Sequence, residues 1–178
     1  MITDGICSTR IKWTEEKVQD ALTAKGQIFD FRRYSSVPNV SYGLLYTGEA
    51  DLICLSGAGV FHEVEIKVSK QDMISDLQKG HAHNHEIVQR LWYAFPGYLQ
   101  NDIEPLVPIW AGIITVYFKI KNGNLGYKTV VVRRPHPKLR TTNRQNRKPT
   151  QEEIIKFLRL GVMRMWSRRT RHSNDEQS

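Results

Sequence analysis

The amino-acid sequence predicts an α/β fold, a central mixed sheet flanked by helices, and three observations carry that expectation. Stretches with helical apolar spacing and capping residues recur at the start, the middle and the end of the chain. Between them lie runs of apolar residues, short or alternating, bounded by Gly, Pro, Asn and Ser. The resulting order is helix, three strands, helix, strand, two further strands and a closing helix.

Each element has its own signal. In "WTEEKVQDALTAKG", Thr14 is the N-cap, Glu15 and Glu16 fill the first turn, Val18, Ala21 and Leu22 share a stripe, and Gly26 stops the helix. "QIFDFRRY" alternates and predicts a strand, followed by "SSVPNVSYG" as a turn-rich connection. A strand over Ala50 to Leu55 and a second over "FHEVEIK" are joined by the Ser56-Gly57-Ala58-Gly59 turn, which predicts a hairpin. "SKQDMISDLQKG" starts a helix at Ser69, with Asp72 in its first turn and Met73 and Leu77 at helical spacing. "IVQRLWYAFP" is a strand whose Trp92, Tyr93 and Phe95 are core residues, and "NDIEPLV" is a turn or short helix. "AGIITVYFKI" and "YKTVVVRRP" are strands around Asn122-Gly123-Asn124. Thr150 and Glu153 form a capping box for a helix over 150–168, whose Ile154, Phe157, Leu158, Val162 and Met165 form the stripe expected to pack on the sheet.

Length and composition predict one domain over residues 1–178 with a real core. No apolar run reaches the roughly 20 residues of a spanning helix, which excludes a helical membrane protein and predicts a cytoplasmic one. Cys7 and Cys54 match neither a disulfide framework nor a paired zinc spacing. The net charge of +8 is unevenly spread. Residues 1–132 hold 13 Lys and Arg against 14 acids, whereas residues 133–172 hold 13 against 2. So lopsided a segment predicts a polyanionic partner, nucleic acid, with Arg133, Arg134, Lys138, Arg140, Arg144, Arg147 and Lys148 as its contacts and 133–149 as a flexible stretch. A solvated, solubilising surface is the bland alternative.

The chemistry concentrates in "FHEVEIKVSKQD". Strand alternation sends His62, Val64 and Ile66 to one face and Glu63, Glu65 and Lys67 to the other. Carboxylates on such a strand are either solvated or matched to a cation, because burying them alone costs several kcal/mol as an order of magnitude. With Asp51 arriving on the neighbouring strand, they make an oxygen-donor set of the kind Mg²⁺ prefers. Lys67, on the same face, is placed to stabilise a phosphate oxygen or orient a water.

Asp51, then Glu65-Ile66-Lys67 on a second strand followed directly by a helix, resembles the PD-(D/E)XK nuclease superfamily with its restriction-endonuclease-like αβββαβ core. More narrowly, "VPNVSYG", "EVEIKVSKQDMISDLQK" and "WYAFP…PIWAGIITV" are similar to the MmcB-like DNA-repair nucleases. The resemblance implies hydrolysis of DNA phosphodiester bonds with Mg²⁺, for which Mn²⁺ can substitute. It implies Asp51, Glu65 and the Ile66 carbonyl as metal ligands and Lys67 as the catalytic lysine. An acid from the first helix often joins them, Glu15 or, failing that, Glu16. Homodimers are frequent on this fold. Ala50 stands where the family's first motif often has proline.

Other features read differently. Glu15-Glu16-Lys17 repeats the E-x-K pattern but on a helix, where the side chains diverge. Ser69 is an N-cap rather than a nucleophile, Lys70 an assistant at phosphate, and Glu63 a neighbour of the site. His81, His83 and His85 line a polar loop, with zinc the lesser reading. Exposed ion pairs on an edge strand would account for Glu63, Glu65 and Lys67 without chemistry. Two other functions stay open, a non-catalytic nucleic-acid-binding protein on the same fold and an RNA-directed nuclease.

Overall fold

The computed structural model describes residues 12–41, 49–79, 86–121, 124–136 and 147–175. Helix α1 (Glu15–Thr23) leads into strands β1 (Tyr34–Val40), β2 (Ala50–Ser56) and β3 (Phe61–Ile66). Helix α2 (Lys70–Lys79) precedes β4 (Val88–Pro96), and α3 (Gln100–Ile103), set between two 3₁₀ turns, precedes β5 (Gly112–Lys121) and β6 (Asn124–Arg133). Helix α4 (Gln151–Asp175) follows. This is the α/β element order the sequence predicts.

The strands form one six-stranded mixed sheet in the order β1-β2-β3-β4-β5-β6. β2 and β3 are antiparallel, β3, β4 and β5 run parallel, and β6 returns antiparallel. Parallel neighbours need crossover connections, and α2 and α3 supply them. Ser56 closes the β2–β3 turn, its main chain pairing with Val60 and its Oγ accepting from the Val60 N–H. Gly59 takes a positive φ of 75° there, a conformation that favours glycine.

One sheet face packs on α1. Val18, Ala21 and Leu22 meet Leu52, Cys54, Val64, Ile66, Trp92 and Ile114. The Cys54 thiol is wholly buried, and burial pushes its pKa up to about 12. The opposite face holds two apolar clusters. Met73 of α2 and Ile103 of α3 cover Leu91, Tyr93, Phe95 and Ile113, while Phe157 of α4 covers Val37, Ile53, Leu55 and Phe61. Phe157 is fully buried, and truncating such a side chain to Ala costs about 3–5 kcal/mol. Gly161 lets α4 approach β1, since a Cβ there would lie 3.0 Å from Val37 Cγ2.

The structure corrects three expectations. "QIFDFRRY" is a chain of turns up to its final Tyr34, because the Asp30 carboxylate accepts the Gly26 and Arg32 N–H groups and pairs with Arg32, folding the segment onto itself. The first strand instead uses "YSSVPNV". Pro38 is tolerated because β1 is an edge strand, and Asn39 bends it with φ 52°. The closing helix runs beyond residue 168 to Asp175, and its stripe does not pack as expected. Phe157 is buried and Ile154 partly so, but Leu158, Val162 and Met165 are exposed. Among the described residues no helix is long and apolar enough to cross a membrane.

Candidate active site

The charged side of β3 is not a surface. Glu63, Glu65 and Lys67 are 4%, 4% and 5% exposed, on the third strand of six. They lie on the face covered by helices, in the gap between the two apolar clusters of that face. The exposed edge-strand account of these residues is thereby excluded.

Strand register builds the constellation. Ile53 pairs with Glu63 and Leu52 with Val64, so the same register brings Asp51 opposite Glu65. The Ile66 N–H donates to Asp51 Oδ2 at 2.7 Å, tying the start of β2 to the end of β3. Lys67 continues the β3–β4 ladder by donating its N–H to the Ala94 carbonyl. Its Nζ lies 3.2 Å from Glu65 Oε2 and 3.2 Å from Asp76 Oδ2 of α2. Tyr93, paired with Glu65 across the β3–β4 register, sits near the same acids. Burial first, then Asp76, Glu65 and Glu63, hold its phenol proton tightly.

The electrostatics follow from burial among like charges. The Asp51 carboxyl is raised above its ordinary range chiefly by burial; the Ile66 N–H and Lys67 pull it down, and Asp72 and Asp76 push it up. Burial opposes the charge on Lys67, but Glu65, Asp76 and Asp51 outweigh it and its pKa is raised. Lys67 is therefore a fixed ammonium, suited to stabilising negative charge and not to taking a proton.

Glu15 reaches this site from α1. Its carboxyl is raised by burial, then by Asp51 and Glu49, with Asn39 opposing. Buried Gln19 organises the approach, its Nε2 lying 2.9 Å from Glu15 Oε1, Asn39 Oδ1 and the Asp51 carbonyl. Glu16 is exposed on the same helix, which leaves Glu15 as the residue brought to Asp51. Ser69 caps α2 by accepting the Asp72 N–H at 3.1 Å, and Lys70, exposed, pairs with Asp102 at 3.1 Å. Ile66 turns its side chain into the α1-side core.

Gln19, Asn39, Asp76 and Tyr93 were not singled out as site residues by sequence. Gln19 lies one helical turn after Glu15 and Asp76 one turn after Asp72, so helical spacing was the available signal.

Of the basic residues, Arg133 donates its guanidinium to the carbonyls of Ala111, Val107 and Pro108. Arg147 pairs with Glu86 at 2.8 Å and donates Nη1 to Glu153 at 2.8 Å. Arg134 and Lys148 are exposed. Lys138, Arg140, Arg144 and the histidines at 81, 83 and 85 lie outside the described residues.

Among the described residues no three His, Cys, Asp or Glu side chains converge as a metal-binding group. The donor chemistry nonetheless fits a hard cation. Mg²⁺ commonly takes one or two protein carboxylates and keeps several waters, and Asp51 and Glu65 are two carboxylates on adjacent strands.

No family model and no curated protein matches the chain. A solved structure, the SPO1766 protein of unknown function from Silicibacter pomeroyi, is similar to it, with a TM-score of 0.58 and 14% identity over 94% of this chain and 97% of that one. At that identity the likeness concerns the fold, an α/β arrangement shared over nearly the whole of both chains.

Proposed function

We propose that the protein is a divalent-metal-dependent nuclease of the PD-(D/E)XK type that hydrolyses DNA phosphodiester bonds. The observation that carries this reading is the Lys67 ammonium, buried between Glu65 and Asp76 beside the β2 acid Asp51. A fold seeking stability alone gains little from such a group, since replacing buried ions with apolar residues is often neutral or stabilising. Its position at the carboxyl ends of the parallel strands β3 and β4 is where α/β sheets commonly bind ligands.

Asp51, Glu65 and the Ile66 carbonyl are the groups that would hold Mg²⁺ or Mn²⁺. Such an ion, when bound, supplies a polarised phosphoryl oxygen and a more acidic water. Glu65 and Asp76 fix the position and charge of Lys67, which meets the developing charge on a phosphate oxygen. Gln19 and Asn39 aim Glu15 toward the same place. The basic C-terminal segment supports a nucleic-acid substrate, through contacts that position a backbone without reading its sequence. DNA as substrate fits a cytoplasmic protein.

The test is cleavage of duplex DNA, single-stranded DNA and RNA with Mg²⁺, Mn²⁺ or EDTA, run beside Glu65→Gln. Metal-dependent DNA cleavage lost in Glu65→Gln is the expected result. Cleavage that survives the substitution, or binding without cleavage on every substrate, overturns the assignment. Cleavage confined to RNA overturns the choice of DNA.

A further inference from the structure

Strand β1 breaks its regular geometry opposite Asp51. Pro38 pairs with Leu52 and Val40 with Ala50, so Asn39, between them, faces Asp51 across the two strands. Asn39 has a φ of 52°, the one positive φ outside glycine among the described residues. A residue with a Cβ keeps such a backbone only where its surroundings hold it. Side chains have taken up the carbonyls of this pair. Gln19 Nε2 lies 2.9 Å from that of Asp51, and Arg164 Nη2, from α4, donates to that of Asn39 at 2.7 Å.

Arg164 reaches β1 because of how α4 docks. Phe157, Gly161 and Arg164 follow one another at intervals of four and three residues, which puts them on one side of the helix. Phe157 is buried among Val37, Ile53 and Leu55, Gly161 passes over Val37, and Arg164 ends half-buried on Asn39. Arg159, on the other side of the helix, is exposed.

We propose that Arg164 is a positioning residue, the latch through which α4 keeps the candidate active site in order. Its bond to the Asn39 carbonyl holds Asn39 in the left-handed turn. From there the Asn39 carboxamide meets Gln19 Nε2 at 2.9 Å and hydrogen-bonds the Glu15 carboxyl, which Gln19 also holds at 2.9 Å. Without Arg164, Asn39 relaxes toward ordinary strand geometry, and Glu15 loses the two amides that aim it at Asp51. The effect of this on cleavage rests on the nuclease reading above; the effect on Asn39 and Gln19 does not. A phosphate contact is the rival role for a cation on this helix. A guanidinium bonded to a main-chain carbonyl, on the docked side of α4, suits a latch better.

The experiment compares full-length Arg164→Ala, Arg164→Lys, Asn39→Gly and, as a control for charge, Arg159→Ala. The latch is read without metal or DNA, from the side-chain amide resonances of Asn39 and Gln19 in two-dimensional NMR spectra. Both should shift in Arg164→Ala and neither in Arg159→Ala, with circular dichroism unchanged throughout. Arg164→Lys, which keeps a donor for the carbonyl, should bring them back toward their wild-type positions. Its consequence is read from single-turnover cleavage at saturating DNA. Arg164→Ala should slow it about 10-fold or more, within the range that small misplacements of reacting groups produce, and leave DNA affinity in EDTA within about twofold. Asn39→Gly keeps a positive φ unaided and has no carboxamide, so adding Arg164→Ala to it should slow cleavage less than about twofold further. Unmoved resonances overturn the proposal whatever the protein cleaves, and so do fully additive effects of the two substitutions. Weakened DNA binding with an unchanged saturated rate overturns it in favour of the phosphate contact. Shifted resonances in a protein whose wild type cleaves nothing refute the nuclease reading and leave the latch standing.

Discussion

Lys67 and Arg133 each place a cation at the end of a strand, yet they are held in opposite ways. Arg133 gives its guanidinium to three main-chain carbonyls and fastens the end of β6 to the loop before β5. Lys67 is held by two carboxylates, with Asp51 close by, under nearly complete burial. Neutral carbonyls need no counter-charge, so Arg133 is accounted for by architecture. The acids around Lys67 repel one another and lose solvation, so their grouping has a cost that architecture does not explain. Charge counted along the sequence does not separate these cases; the partner of each charge does.

Substituting both cations tests the contrast at its widest. Lys67→Met removes the counter-charge of Glu65 and Asp76, and leaving a buried charge unpaired costs about 3–5 kcal/mol. Cleavage should fall at least about 100-fold, the loss typical of removing one group that stabilises transition-state charge. Arg133→Met should cost about 1–3 kcal/mol and leave cleavage intact. Denaturant unfolding and single-turnover cleavage measure both. Adding Glu65→Gln and Asp76→Asn to Lys67→Met should recover stability without recovering cleavage. The distinction between a chemical and an architectural cation collapses if Arg133→Met abolishes cleavage while Lys67→Met spares it.

Asp51→Asn isolates the cost of the acids themselves. A carboxyl raised in the folded state binds its proton more tightly there than in the unfolded chain, so its effect on stability runs downward as pH rises. That loss begins near the ordinary Asp value of 3.8 and is complete above the raised one. Asn keeps an oxygen for the Ile66 N–H and carries no charge. The variant should therefore melt higher than wild type at neutral pH and lose cleavage, while its advantage disappears in acid. Melting curves from pH 3 to 8 read the effect. A variant less stable than wild type at neutral pH would show that Asp51 is held by its contacts and not strained by its neighbours.

The sequence made the hairpin of β2 and β3 legible because its two strands and glycine turn are local, and alternation sorted the faces of "FHEVEIK" correctly. It could not show that both faces are covered. Burial of Glu63 and Glu65 depends on where α2 and α4 land, which no window of β3 contains. Gln19 and Asp76 escaped notice for the same reason, each acquiring its role from a partner on another element. β1 was missed because Pro38 and Asn39 read as turn residues, and only the edge position makes them compatible with a strand. The α4 stripe misled in the other direction. Its spacing is helical, but periodicity says that one face is apolar and not what covers it.

The smallest effects separate two neighbours in the basic segment. Arg147 ties the start of α4 to the approach to β4, through Glu86 and Glu153 and through Gln89 Nε2 donating to its carbonyl. Its guanidinium pulls the Glu153 carboxyl down to about 2. The pair is well solvated, so Arg147→Ala should cost less than about 1 kcal/mol. Lys148, next to it, is exposed. In a titration of duplex DNA at several salt concentrations, Lys148→Ala should lower the slope of log affinity against log salt by about 0.9, the release expected for one phosphate contact. Arg147→Ala should leave that slope unchanged, since a guanidinium committed to two carboxylates has no counterion to release from DNA. Equal slope changes for the two variants would mean that Arg147 exchanges Glu86 and Glu153 for phosphate on binding, and the line between architectural and binding arginines would then have to be drawn without it.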